Sequence, residues 1–146
     1  MKISTKGRYG LRAMVDLAVY SLGDQVTLKS IAQRQSISEN YLEQVFSILR
    51  KAELVKSIKG AQGGYIIGKS PENITVGDIL RALEGSLSVV EDASESTTDE
   101  IELCINNNVW NKINDCINTA VDSVSLEDLV VEYKKLKGDS SYLYYI

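Results

Sequence analysis

Five polar side chains, Ser38, Asn40, Tyr41, Glu43 and Gln44, crowd the start of one apolar-periodic segment. Two amides, a phenol and a carboxylate on one helical turn do not make a catalytic set, but they suit the edges of bases. Asn40 and Gln44 can pair with adenine, Glu43 can accept from cytosine N4 while repelling phosphate, and Tyr41 can reach a phosphate or a thymine methyl. The plain alternative for any one of them is a solvated helix face. The 146-residue chain has no histidine, which removes His-based acid–base catalysis and every His-containing metal site. With no metal set and no Gly-Lys-Ser/Thr phosphate loop, an enzyme is not expected.

The elements around these residues are predicted from spacing. Residues 8–22 place Leu11, Met14, Val15, Ala18, Val19 and Leu22 on one face of a helix. Thr27 then caps a short helix burying Leu28, Ile31 and Ala32, and Ser36-Ile37-Ser38 makes a tight turn. A third helix from Glu39 to about Ala52 buries Leu42, Val45, Phe46 and Leu49 and carries the polar cluster on its opening turn. Short helix, turn, longer helix is the pattern of a helix-turn-helix. Leu54–Lys59 and Tyr65–Ile67 read as a hairpin around Gly60-Ala61-Gln62-Gly63-Gly64, with Lys56 and Lys59 outward and Ser57 nearby. A basic hairpin after a helix-turn-helix is a wing, and Lys59 with Gly60 at its tip would enter a minor groove. Lys2, Lys6, Arg8, Arg50 and Lys56 are the expected phosphate contacts.

The expected fold is mainly α with a small β-hairpin: a winged helix-turn-helix at 1–70, then a helical dimerisation and signal-sensing region at 71–146. Charge divides the same way. Residues 1–70 carry 11 Lys and Arg against 5 Asp and Glu, and residues 71–146 carry 5 against 15, a basic head on an acidic body. Thr75 to Leu83 reads as a capped helix, residues 91–102 as an acidic solvated loop, and roughly 101–123 as one long helix. Along it Val109, Ile113, Cys116 or Ile117, Ala120 and Val124 step by three and four, with Trp110 beside them and Val121 on the expected dimer contact. Ser125 opens a last helix that Gly138 is expected to end, before the aromatic tail SSYLYYI. Cys104 and Cys116, ~18 Å apart along one helix, cannot bridge within it. They are either small buried hydrophobes or candidate redox residues across a dimer interface. No apolar run approaches the ~20 residues of a membrane span, and a cytoplasmic location is expected.

MKISTKGRYGLRAM, SIAQRQSISENYLEQVFSILRKAELVKSIKGAQGGY and SLEDL resemble the Rrf-type winged-helix regulators. The resemblance covers nearly the whole chain, most densely in SxxYLEQ (Ser38 to Gln44) and the KGAxGGY-like wing (Lys59 to Tyr65). It implies a homodimeric transcriptional repressor on a two-fold DNA operator, joined through the long helix. It also places Tyr41, Glu43 and Gln44 on the recognition helix. Cluster-binding members of that family carry three close cysteines and a histidine before the long helix; here only Cys104 remains, with Asn107 where the histidine would fall. No metal or cofactor is therefore expected, since an iron–sulfur cluster needs about four ligands. The loss and the tail resemble the family's cysteine-metabolism repressors, whose signal comes from a partner enzyme, cysteine synthase (O-acetylserine thiol-lyase). An iron–sulfur-responsive regulator and an adaptor that no longer binds DNA are the competing readings.

Overall fold

A computed structural model describes residues 2–21, 23–90 and 98–142, with side chains to residue 138. Local capping chemistry starts nearly every helix. Ser4 accepts from the Gly7 amide to open α1 (Thr5–Tyr20), and Thr27 accepts from Ser30 to open α2 (Leu28–Gln35). Ser36 ends α2 in the left-handed region (φ 56°, ψ 46°), a strain of about 1 kcal/mol for a non-glycine residue. Buried Ile37 anchors that turn, and Ser38 caps α3 (Glu39–Lys51) through the Tyr41 amide.

The hairpin pairs β1 (Val55–Ile58) with β2 (Gly64–Ile67), antiparallel, with Val55 opposite Ile67 and Ile58 opposite Gly64. Val26 extends the ladder by exchanging two backbone hydrogen bonds with Tyr65 at 2.8 and 2.9 Å. Gly60 at the tip holds φ 126°, a conformation that excludes most side chains. A 3-10 turn (Pro71–Asn73) leads to α4 (Val76–Glu84), opened by a full capping box between Thr75 and Asp78.

Then α5 (Glu100–Ile105) passes through a π turn (Asn106–Trp110) into α6 (Asn111–Asp122). The joints Ile105, Asn106, Trp110 and Asn111 are all right-handed helical, so these pieces form one rod, as expected for 101–123. Ser125 and Asp128 form a second capping box ahead of α7 (Leu126–Tyr142).

One apolar core joins head and body: Met14 and Leu17 from α1, Phe46 and Leu49 from α3, Ile79 and Leu83 from α4, and Leu126 from α7. At Gly10 a side chain would strike Leu83, so this glycine is what lets α1 and α4 approach.

Three expectations need correction. Gly138 does not end the last helix, which continues to Tyr142; an interior glycine costs only about 1 kcal/mol, and Gly138 takes no positive φ. The acidic stretch 91–102 is not loop throughout. Asp99 accepts from the Ile101 and Glu102 amides and, with Glu100 and Glu102, starts α5, where negative charge suits the helix dipole. Residues 91–97 and the tail's last four lie outside the described residues. Finally, Cys104 and Cys116 are both exposed on the rod, so neither is a buried hydrophobe of its own chain.

Candidate nucleic-acid interface

The apolar face of α3 decides what its other face can offer. Leu42, Val45, Phe46 and Leu49 are buried, which turns Asn40, Glu43 and Gln44 outward, where all three are exposed. Asn40 stands three and four residues from Glu43 and Gln44, so the three share one patch of helix surface. Ser38 is exposed, but its hydroxyl is committed to the cap, 3.3 Å from the Tyr41 amide. Tyr41 is half-buried, edge-on to Tyr9 with centroids 6.2 Å apart at 87°, and Tyr9 also carries the Arg8 and Arg12 guanidinium groups 5.9 and 5.5 Å from its ring. Part of Tyr41 therefore fixes α1 against α3.

The wing is set against this helix by aromatic packing, and its tip is tied to the α1–α2 loop by one side-chain amide. Phe46 of α3 meets Tyr65 of β2 at 4.9 Å, and the Gln25 side chain donates to the Gln62 carbonyl at the wing tip. Lys56 points outward from β1 and Ser57 is half-buried. Lys59 and Gly60 lie past the strand in the exposed turn, which is closed by the Gly63 amide donating to Gly60 at 3.0 Å. Lys6 is exposed on the first turn of α1. A trough of about 660 Å³ between the end of α3 and the wing brings together Arg50, Lys56, Lys59 and Lys69. Lys69 was missed from sequence. The hairpin register could have found it, because Val55 opposite Ile67 carries Lys69 back toward Glu53.

The start of α3 is held by an ion pair with a buried carboxylate. Asp16, on α1 with its side chain fully buried, accepts from Arg34 at 2.8 and 3.0 Å and from the side-chain Nε2 of Gln35 at 2.9 Å. The hydrogen bond to Asp16 is the main reason the Arg34 guanidinium holds its proton even more firmly than usual. Arg34 also lies over the Tyr20 ring at 4.0 Å. Since α2 ends at Gln35, this grip fixes the turn that aims α3.

Residues 3–132 match the model of Rrf2, described as an iron-dependent transcriptional regulator. The chain belongs to the Rrf2 family. It is 47% identical to the HTH-type transcriptional regulator CymR of Bacillus subtilis over the full length of both chains. It is 37% identical to the IscR regulator of Aliivibrio salmonicida, over 90% of this chain and 79% of that one. The solved structure of CymR, the global cysteine regulator of B. subtilis, superposes with a TM-score of 0.77 at 47% identity, covering 90% of this chain and 98% of that one. The fold is thus a family winged helix-turn-helix, and the chain is a transcriptional regulator rather than an enzyme.

The iron in the family's description can be tested on the donors present. Cys104 and Cys116 sit 12 residues apart on a continuous rod, ~18 Å from one another. The chain has no other cysteine and no histidine, and no three His, Cys, Asp or Glu side chains among the described residues gather to hold a metal. These donors do not fit an iron–sulfur cluster. Nor, among the described residues, is any helix long and apolar enough to cross a membrane.

On the rod, Val109 and Ile113 are 40% and 39% exposed, whereas Trp110, Ile117 and Val121 are half-buried. The end of α6 is tied to α4 by Arg81, which donates to both Asp122 oxygens at 2.7 and 2.9 Å and to Asn118 at 2.9 Å.

Proposed function

We propose that this chain is a homodimeric repressor of cysteine- and sulfur-metabolism genes, cytoplasmic, that binds a two-fold operator without an iron–sulfur cluster. The observation that carries the reading is the α3 face of Asn40, Glu43 and Gln44 beside the basic trough of Arg50, Lys56, Lys59 and Lys69. In it the head (1–70) reads DNA. Asn40, Tyr41, Glu43 and Gln44 face bases, and Lys6, Lys56, Ser57, Lys59 and Gly60 follow the backbone. The body (71–146) joins two copies along Val109, Trp110, Ile113, Ile117 and Val121, which spaces two heads for two half-sites. The regulated genes are read from the 47% identity to a cysteine regulator.

Lacking ligands for a cluster, the repressor takes its signal from a partner enzyme, cysteine synthase. Exposure of Cys104 and Cys116 favours a second reading of the signal, in which thiol oxidation rather than a partner alters DNA affinity. A gel shift on the protein's own promoter, with and without cysteine synthase and with and without peroxide, tests all of these. Specific retardation changed by the enzyme supports the first reading, and retardation lost only on oxidation supports the second. No retardation by folded dimer at low salt overturns DNA binding.

A further inference from the structure

From Ile58 to Gln62 every residue of the wing is exposed, and past Ile58 the turn closes on itself through the Gly63 amide, which donates to Gly60 at 3.0 Å. An isolated two-stranded hairpin is marginally stable in water. The base of this one is secured by its neighbours: Phe46 packs on Tyr65, and the Tyr65 amide and carbonyl both bond Val26. Gly64 allows that approach, because a Cβ there would stand 2.6 Å from the Val26 carbonyl oxygen. Between the tip and the α1–α2 loop lies a cleft of about 500 Å³, lined by Asp24, Gln25, Thr27, Ala61, Gln62 and Gly63. Its largest purely apolar side chain is the methyl of Ala61, so apolar packing offers little across it. A polar bond makes the crossing: half-buried Gln25 donates from Nε2 to the Gln62 carbonyl.

We propose that Gln25 is a positioning residue for DNA binding, holding the wing turn so that Lys59 meets the duplex at a fixed offset from α3. This role rests on the DNA-binding reading and adds to it a residue outside both α3 and the wing. Gln25 precedes buried Val26, whose two backbone bonds to Tyr65 measure 2.8 and 2.9 Å, so its own backbone is anchored. It also stands two residues before Thr27, the cap of α2, so one loop both starts the helix-turn-helix and holds the wing. Its acceptor, Gln62, lies three residues after Lys59 in the same exposed turn. An ordered turn reaches DNA with its conformational entropy already lost, whereas a free one must lose it on binding. Glutamine suits the task because it is uncharged: it grips the carbonyl without adding a charge that would itself attract or repel phosphate.

Gln25→Met keeps the length of the side chain and removes the donor. In full-length protein it should weaken operator binding by about three- to tenfold, the size of one lost hydrogen bond, with a thermal midpoint within about 4 °C of the parent. A double-mutant cycle with Lys59→Ala separates positioning from a general loss of structure. Because Gln25 acts through Lys59, Gln25→Met in the Lys59→Ala background should cost less than about twofold, and Gln25→Met alone should move the salt slope toward that of Lys59→Ala. An equal loss in both backgrounds overturns the role, as does a Gln25→Met variant that binds like the parent.

Amide hydrogen exchange reads the tie without DNA. In the free protein the Gly63 amide should exchange about three- to tenfold faster in Gln25→Met than in the parent, while the Tyr65 amide, held by Val26, keeps its rate. A parent that binds no operator overturns the proposed function and this role with it. A parent that binds, with Gly63 exchange unchanged in Gln25→Met, overturns this role alone.

Discussion

Arg34 holds Asp16 with two nitrogens, Nη2 to Oδ1 at 2.8 Å and Nε to Oδ2 at 3.0 Å, across the junction of α1 and α2. The carboxylate has no exposed surface, and the side-chain Nε2 of Gln35 supplies its third donor. A buried charge that loses its partner costs about 3–5 kcal/mol. Arg34→Met should therefore destabilise the fold toward the low end of that range, since Gln35 remains. Urea unfolding checks it, and a loss below about 1 kcal/mol would show that Asp16 does not depend on Arg34.

Ser38 serves the helix as a cap before it serves any ligand, because its hydroxyl is aimed at the Tyr41 amide. Ser38→Ala should cost about 0.5–2 kcal/mol, and Ser38→Asp, another good cap, should restore most of that stability. If DNA affinity falls in the alanine variant with stability unchanged, the hydroxyl acts on DNA and not on the helix.

Lys59 and Gln44 should fail in different ways. Lys59→Ala at the wing tip should weaken binding to all sequences and reduce the salt dependence by about one phosphate equivalent. Gln44→Ala should relax preference at one operator position, by about 1–3 kcal/mol of discrimination. Anisotropy titrations across a salt series and a set of single-base operator variants separate the two. An unchanged salt slope counts against the wing, and a uniform loss on Gln44→Ala counts against base reading.

The Arg81–Asp122 pair gives stability a pH dependence. Hydrogen bonding to Arg81, and then its charge, hold the Asp122 carboxyl below the usual range. A carboxyl whose folded pKa is lowered contributes above its unfolded value, near pH 4, and that contribution is lost as pH falls through the folded value. Thermal melts of the parent and of Asp122→Asn should differ at pH 6–7 and converge below about pH 4. A constant difference down to pH 3 would rule the pair out as its source.

The helix starts and the wing turn were legible in sequence because their signals are local. Thr27, Thr75 and Ser125 each mark a helix start through a side chain that bonds a backbone amide three residues on, and Gly60 marks the wing turn through its own backbone freedom. What was not legible depends on partners distant in sequence. Asp16 looks like a surface acid until α2 folds back and brings Arg34, 18 residues later, over it. The exposure of Cys104 and Cys116 follows from which side of the rod meets α4, and periodicity cannot assign that side. Gly138 misled because glycine only weakens a helix, and the chain beyond it still propagates one.

In the proposed function, a dimer reads DNA without iron. The direct measurement is operator binding by protein purified anaerobically, with its iron content determined on the same sample. Specific, saturable binding to the protein's own promoter is expected at a ratio of one dimer per two-fold site, with iron far below stoichiometric. Binding that appears only after an iron–sulfur cluster is rebuilt, or stoichiometric iron in the active sample, would contradict it.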